Sequence, residues 1–140
     1  MGGRVRVSAL VLWIANIGIG LRLLYLWISR GGIRQLATKV TRFPVIMILL
    51  HPLAGVTGLG LWLAYLLTGW VTFAWSAFGL ICGSALLGFA LLTRGVSSRG
   101  GRHARGAERH IPGLAVAAHG IVGVTIFVLV LITATIASRG

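Results

Sequence analysis

Four long apolar runs leave this chain few folds to choose from. They cover residues 7–29, 43–67, 70–92 and 112–137, and Arg22 is the one Lys, Arg, Asp or Glu inside them. A helix needs about 20 apolar residues to cross the bilayer hydrocarbon, and each run has that length with some allowance for tilt. The rest of the composition agrees. Hydrophobic residues make up 57% of the 140, charged residues 10%, and the mean hydropathy is +0.97. A soluble domain carries roughly 25% charged residues, so no water-facing surface can be assembled from this inventory. A soluble enzyme, a secreted disulfide scaffold (Cys82 is the sole cysteine) and a disordered chain are excluded. The fold class expected is an all-α membrane protein, a four-transmembrane-helix bundle, with residues 1–140 as a single transmembrane domain.

Thirteen Lys and Arg oppose one acid, Glu108. In a soluble protein that imbalance would suggest nucleic acid; here the cations lie between apolar runs, so they speak of topology and of anionic lipid head groups instead. The connection 30–42 holds Arg30, Arg34, Lys39 and Arg42, and the connection 94–110 holds Arg94, Arg99, Arg102, Arg105 and Arg109. Only Arg4, Arg6 and Arg139 belong to the other side. The bias puts both long loops in the cytoplasm, and both termini and the Thr68-Gly69 turn outside, in a multi-pass plasma-membrane protein. Trp13, Trp62, Trp70 and Trp75 would then lie toward the outer interface and Trp27 toward the inner one. The first run is too long for a signal-peptide core and is read as a true span. Residues 94–109, rich in Gly, Ser and Arg, read as a solvated loop.

An internal repeat is the most specific signal. Shifting the chain by 68 residues aligns Pro44 with Pro112, His51 with His119, Gly55 with Gly123, Val56 with Val124 and Thr57 with Thr125, without a gap. Weaker matches join Ser8 to Ser76, Gly20 to Gly88 and Leu61 to Leu129. The chain therefore reads as two duplicated helical hairpins, 1–68 and 69–137, each giving one His from its second helix. An even number of spans separates the copies, so they share a membrane orientation and are related by an axis along the membrane normal. Each His stands seven residues past its Pro, about 10 Å into its helix, so both imidazoles reach one depth from opposite sides of the bundle.

A His in a membrane helix is costly enough to be read as functional, and a facing pair in a four-helix bundle is an arrangement that ligates haem iron from both sides. His51 and His119 are the candidate metal ligands of one haem b. Gly55 and Gly123, one turn on, would give the porphyrin room, although Gly at this spacing also serves close helix packing. The second and fourth runs would be diagonal partners. Arg22 lies near the depth of the pair and would answer a haem propionate or snorkel to the interface; Lys39, Arg42 and Arg109 are alternatives. Thr57 and Thr125 would border the haem or bond back to helix carbonyls. His103 and His110 fall in or beside the solvated loop. No C-x-x-C-H occurs, so covalent haem attachment is excluded.

With these residues the chain resembles small four-helix membrane b-type cytochromes in the style of the cytochrome b561 group. It is also similar to short four-span actinobacterial membrane proteins, in strings such as HPLAGVTGLGLWLAYLLTGW and AERHIPGLAVAAHG. The resemblance implies electron transfer with a quinone pool or a respiratory partner, by a haem protein rather than a stand-alone enzyme. The cytochrome b561 pattern has four His for two haems; His51 and His119 suffice for one. A second reading is a non-catalytic accessory subunit of a larger respiratory or transport complex, or a homo-oligomer, docking through its basic loops. A third is a small channel or transporter: an exporter would need an intramembrane carboxylate to couple protons, and none is present, while the parallel duplication differs from the inverted pairing of small fluoride-type channels. Hydrolase and transferase chemistry lacks an acid pair, a nucleophile set and a phosphate loop.

Overall fold

The computed structural model describes residues 2–37, 45–99 and 111–139, and no strand occurs among them. Helix α1 spans Gly2–Ser29, α2 Gly32–Ala37, α3 Val45–Thr68, α4 Val71–Arg99 and α5 Gly113–Ala137. Four of these, all but α2, are long and apolar enough to cross a membrane, as the apolar runs require. The protein is an all-α membrane protein.

Two stretches differ from the sequence expectation. Part of the 30–42 connection is helical: Gly31 turns the chain at φ 88°, its N–H bonds the Ile28 carbonyl at 3.0 Å, and α2 follows. Any side chain on Gly32 would overlap the Trp27 indole, so the chain reverses against that ring. The second difference is at 94–99, which continue α4 instead of opening a loop. Extending an existing helix adds one bond per residue fixed, whereas starting one is unfavourable; no proline interrupts the extension as far as Arg99. The remainder of both basic connections, with Lys39, Arg42, Pro44, His103, Glu108, Arg109 and His110, lies outside the described residues.

The turn between α3 and α4 is closed locally. Gly69 has φ 74°, which glycine adopts without a Cβ clash. Its N–H bonds the Tyr65 carbonyl at 2.8 Å, while the Thr68 hydroxyl donates to the Ala64 carbonyl at 2.8 Å and accepts from the Trp70 N–H at 3.2 Å. At the other end of the second hairpin, Pro112 caps α5 in an extended conformation.

Neighbouring helices close a ring in the order α1, α3, α4, α5. Helices α3 and α5 are thus diagonal, and so are α1 and α4. Exchanging the two repeats carries α1 onto α4 and α3 onto α5, and every neighbouring pair maps onto another neighbouring pair. The core is unequal between the halves. Trp13 on α1 donates its indole N–H to the Gly55 carbonyl at 3.1 Å and fills a notch over Gly58, where a Cβ would come within 2.9 Å of its ring. Trp62 packs on Trp13 and Tyr65, with ring centroids 6.5 and 5.2 Å apart. The Arg6 guanidinium covers Tyr65 from 5.2 Å. The fully buried Ala9, Ala74, Ala77 and Ala134 let the helices close around these rings, as small residues do in lipid. Of the tryptophans expected toward the interfaces, Trp70 and Trp75 are exposed, whereas Trp13, Trp27 and Trp62 are buried.

The fully buried Trp62 makes the core testable. Trp62→Ala leaves a cavity and should lower the unfolding free energy in detergent by about 3 kcal/mol, whereas Leu67→Ala, on an exposed side chain, should change it by less than about 0.5 kcal/mol.

Candidate functional site

Both histidines are half-buried, and both stand in the second turn of their helices, His51 on α3 and His119 on α5. Their rings meet across the diagonal of the bundle, with centroids 5.9 Å apart and planes at 77°. The expectation that two diagonal helices bring the pair together at one depth matches this geometry.

What seats the rings is a crossed arrangement between the repeats. His51, of the first repeat, lies against Gly88 of the second: a Cβ there would stand 2.9 Å from His51 Cε1. His119, of the second repeat, lies against Gly20 of the first, where a Cβ would stand 3.0 Å from His119 Cε1. Each imidazole therefore rests on the backbone of the other repeat's first helix. Beside each glycine, one turn away, is a polar residue. Ser84 accepts the His51 Nδ1–H through its backbone carbonyl at 2.8 Å, and its hydroxyl, 3.2 Å from Nδ1, donates to the His51 carbonyl at 3.2 Å. A carbonyl can only accept, so this bond sets the Nδ1–H tautomer and leaves the Nε2 lone pair unprotonated. Asn16, which the 68-residue shift aligns with Ser84, brings its backbone to the His119 ring as a hydrogen-bonding neighbour, but no well-formed hydrogen bond reaches His119 Nδ1.

The other sequence candidates fall elsewhere. At Gly55 a Cβ would stand 3.9 Å from the Ser84 hydroxyl, and at Gly123 3.6 Å from Asn16 Nδ2; both are ordinary contacts. The tight clearance lies instead at Gly20 and Gly88, on the flanking helices. Arg22 is exposed. Two residues from Gly20, it is turned about 200° around α1 from the face that meets His119. Thr57 and Thr125 are exposed as well, six residues past each His and so about 240° around the helix. Thr125 bonds back to the Ile121 carbonyl at 3.0 Å, one of the two roles expected of it. Cys82 is a half-buried free thiol.

Sequence reasoning missed Asn16 and Ser84 and undervalued Gly20 and Gly88. The signal was present: Gly20–Gly88 and Asn16–Ser84 keep the register of the histidine repeat. A glycine match is cheap in so glycine-rich a chain, and Asn aligned with Ser is no identity at all, so neither stood out.

Chemically, the site offers two imidazoles and, among the described residues, no acid. Among the described residues no three His, Cys, Asp or Glu side chains come together to hold a metal ion. Two side chains cannot supply the four ligands that a structural metal such as zinc takes from protein; they suit a group that brings its own donors. Comparison with known proteins finds no matching family model, no matching curated protein and no matching solved structure. The functional reading accordingly rests on the chain's own geometry.

A direct consequence concerns the glycines. Gly88→Ala should displace the His51 ring and Gly20→Ala the His119 ring, seen as a shift of that histidine's ring proton resonances alone. Gly55→Ala and Gly123→Ala should move neither ring by a comparable amount.

Proposed function

We propose that the chain is a membrane b-type cytochrome, or a haem-binding subunit of a respiratory complex, that holds one haem b between His51 and His119. The observation that carries this reading is the meeting of the two imidazoles across the bundle diagonal, 5.9 Å between ring centres. Two imidazoles bonded head-on to one metal through bonds of about 2 Å have their ring centres about 6 Å apart, so the present spacing suits a shared iron once the rings turn their Nε2 atoms toward each other. The donor set suits it too. A porphyrin brings four nitrogens of its own, which suits a site whose described residues offer two imidazoles and no acid.

The chain's own groups would divide the work. His51 and His119 would hold the haem iron, and the Ser84 carbonyl keeps the His51 proton on Nδ1, which leaves Nε2 free to bind. Gly20 and Gly88 keep the ring faces clear of side chains. The apolar surroundings exclude water and raise the cost of a net charge change, which tunes a reduction potential. When bound, the haem supplies one-electron transfer, with the quinone pool or a respiratory partner as its counterpart. Arg22 is exposed and reads better as an interface cation than as a propionate partner. The protein sits in the plasma membrane with both basic connections in the cytoplasm against anionic lipid and both termini outside, the arrangement favoured by nine cations on one side and three on the other. The accessory-subunit reading is compatible with this one, since a haem subunit can serve a larger complex.

Purified with haem supplied during expression, the protein should show a Soret band and a sharp reduced alpha band. His51→Ala or His119→Ala should abolish that six-coordinate spectrum while leaving helicity unchanged. Colourless protein of full helicity overturns the proposal. Orientation has its own check. In a Cys82→Ala background, a cysteine at Arg105 should label from the cytoplasmic side only and one at Gly3 from the outside only.

A further inference from the structure

We propose that Asn16 is a positioning residue for His119, so that the two ligand positions are set by different means. The inference rests on reading the pair as axial ligands of one iron, but the contacts that carry it belong to the protein alone.

The repeat makes Asn16 the counterpart of Ser84. On the Ser84 side the hydrogen bonding is complete, carbonyl to Nδ1–H at 2.8 Å and hydroxyl to the His51 carbonyl at 3.2 Å. On the Asn16 side two atoms are left over: His119 Nδ1 and Asn16 Oδ1 are each buried without a partner. They belong to residues already in contact, since the Asn16 backbone reaches the His119 ring and Asn16 Nδ2 lies against Gly123, one turn from His119 on α5. Their chemistry is complementary. A neutral imidazole has one N–H to give, and an amide oxygen only accepts.

The other leftover buried atoms cannot take the place of Oδ1. Those of Arg6, Trp27 and Trp62 are N–H groups that donate, and the Tyr65 hydroxyl stands fourteen residues along α3 from His51, about 21 Å away. Among the described residues Asn16 Oδ1 is therefore the unpartnered buried side-chain acceptor at the level of His119, beside the Asn16 backbone that already approaches the ring. A turn of the amide and the ring closes an Nδ1–H to Oδ1 bond and leaves Nε2 as the ligating atom, the same tautomer as at His51. The difference is in what holds it. His51 is fixed by a backbone carbonyl that no substitution removes. His119 is fixed by a side chain that one substitution removes.

The test is the tautomer of each ring in the full-length, haem-free protein, read from 15N histidine spectra in detergent. Wild type should hold both rings with the proton on Nδ1. Asn16→Leu should turn His119 into a mixture of tautomers and leave His51 unchanged, while Ser84→Ala should leave His51 with its proton on Nδ1. Asn16→Asp, which keeps an acceptor oxygen in place, should restore the single His119 form and also serves if the leucine variant fails to fold. In haem-loaded protein Asn16→Leu should weaken retention of the group by about 10–100-fold, as loss of an outer partner does, and Ser84→Ala by less than about threefold.

A His119 that keeps its proton on Nδ1 in Asn16→Leu overturns the inference and assigns the role to the Asn16 backbone carbonyl. So does an Asn16→Asp variant whose His119 is a mixture of tautomers although an acceptor oxygen is kept. Colourless wild-type protein sinks the haem reading instead, and the tautomer comparison then decides the role of Asn16 by itself.

Discussion

Everything in this bundle follows from a cost: a polar side chain in hydrocarbon must find its partner inside the molecule. The chain places two imidazoles in its spans and offers no carboxylate near them among the described residues. It answers by crossing its repeats, so that each histidine rests on a glycine of the other repeat's first helix and beside a polar residue there. That crossing ties α3 to α4 and α5 to α1. The ring of four helices, the diagonal placement of the histidines and the close backbone approach at Gly20 and Gly88 are one arrangement seen from three directions.

The two ends of the bundle have different characters. Around the histidines the repeats match at His51 and His119, Gly55 and Gly123, and Gly20 and Gly88, and the two rings meet across the bundle diagonal. Fourteen residues along α3 from His51 the correspondence is gone: Trp62 aligns with Val130, Tyr65 with Thr133 and Arg6 with Ala74. There the aromatic rings of the first repeat fill the core and the small residues of the second make room for them. Symmetry is kept where two side chains must converge on one point and is given up where packing alone is needed.

Much of this was legible in the sequence, for physical reasons that can be named. Length and apolarity dictate four spans because a bilayer has one thickness. The gapless Pro-His-Gly-Val-Thr repeat fixed the histidines at a common depth because rise per residue is constant. Helix faces were harder. Gly55 and Gly123 share a face with the histidines on their own helices, yet the steric constraint lies on the helices opposite, which no spacing within one helix can reveal. Arg22 has the right depth and the wrong side: two residues from Gly20 is half a turn away. Helix α2 and the extension of α4 to Arg99 were missed because polarity was read as loop, whereas a helix continues through polar residues once it has left the membrane.

The central claim is that both imidazoles belong to one iron. Electron paramagnetic resonance of the oxidised purified protein, quantified against iron and protein, addresses it directly. The account predicts a single low-spin ferric species at one iron per chain. A high-spin signal of one-sided ligation, or iron well below one per chain in protein expressed with ample haem, would contradict it.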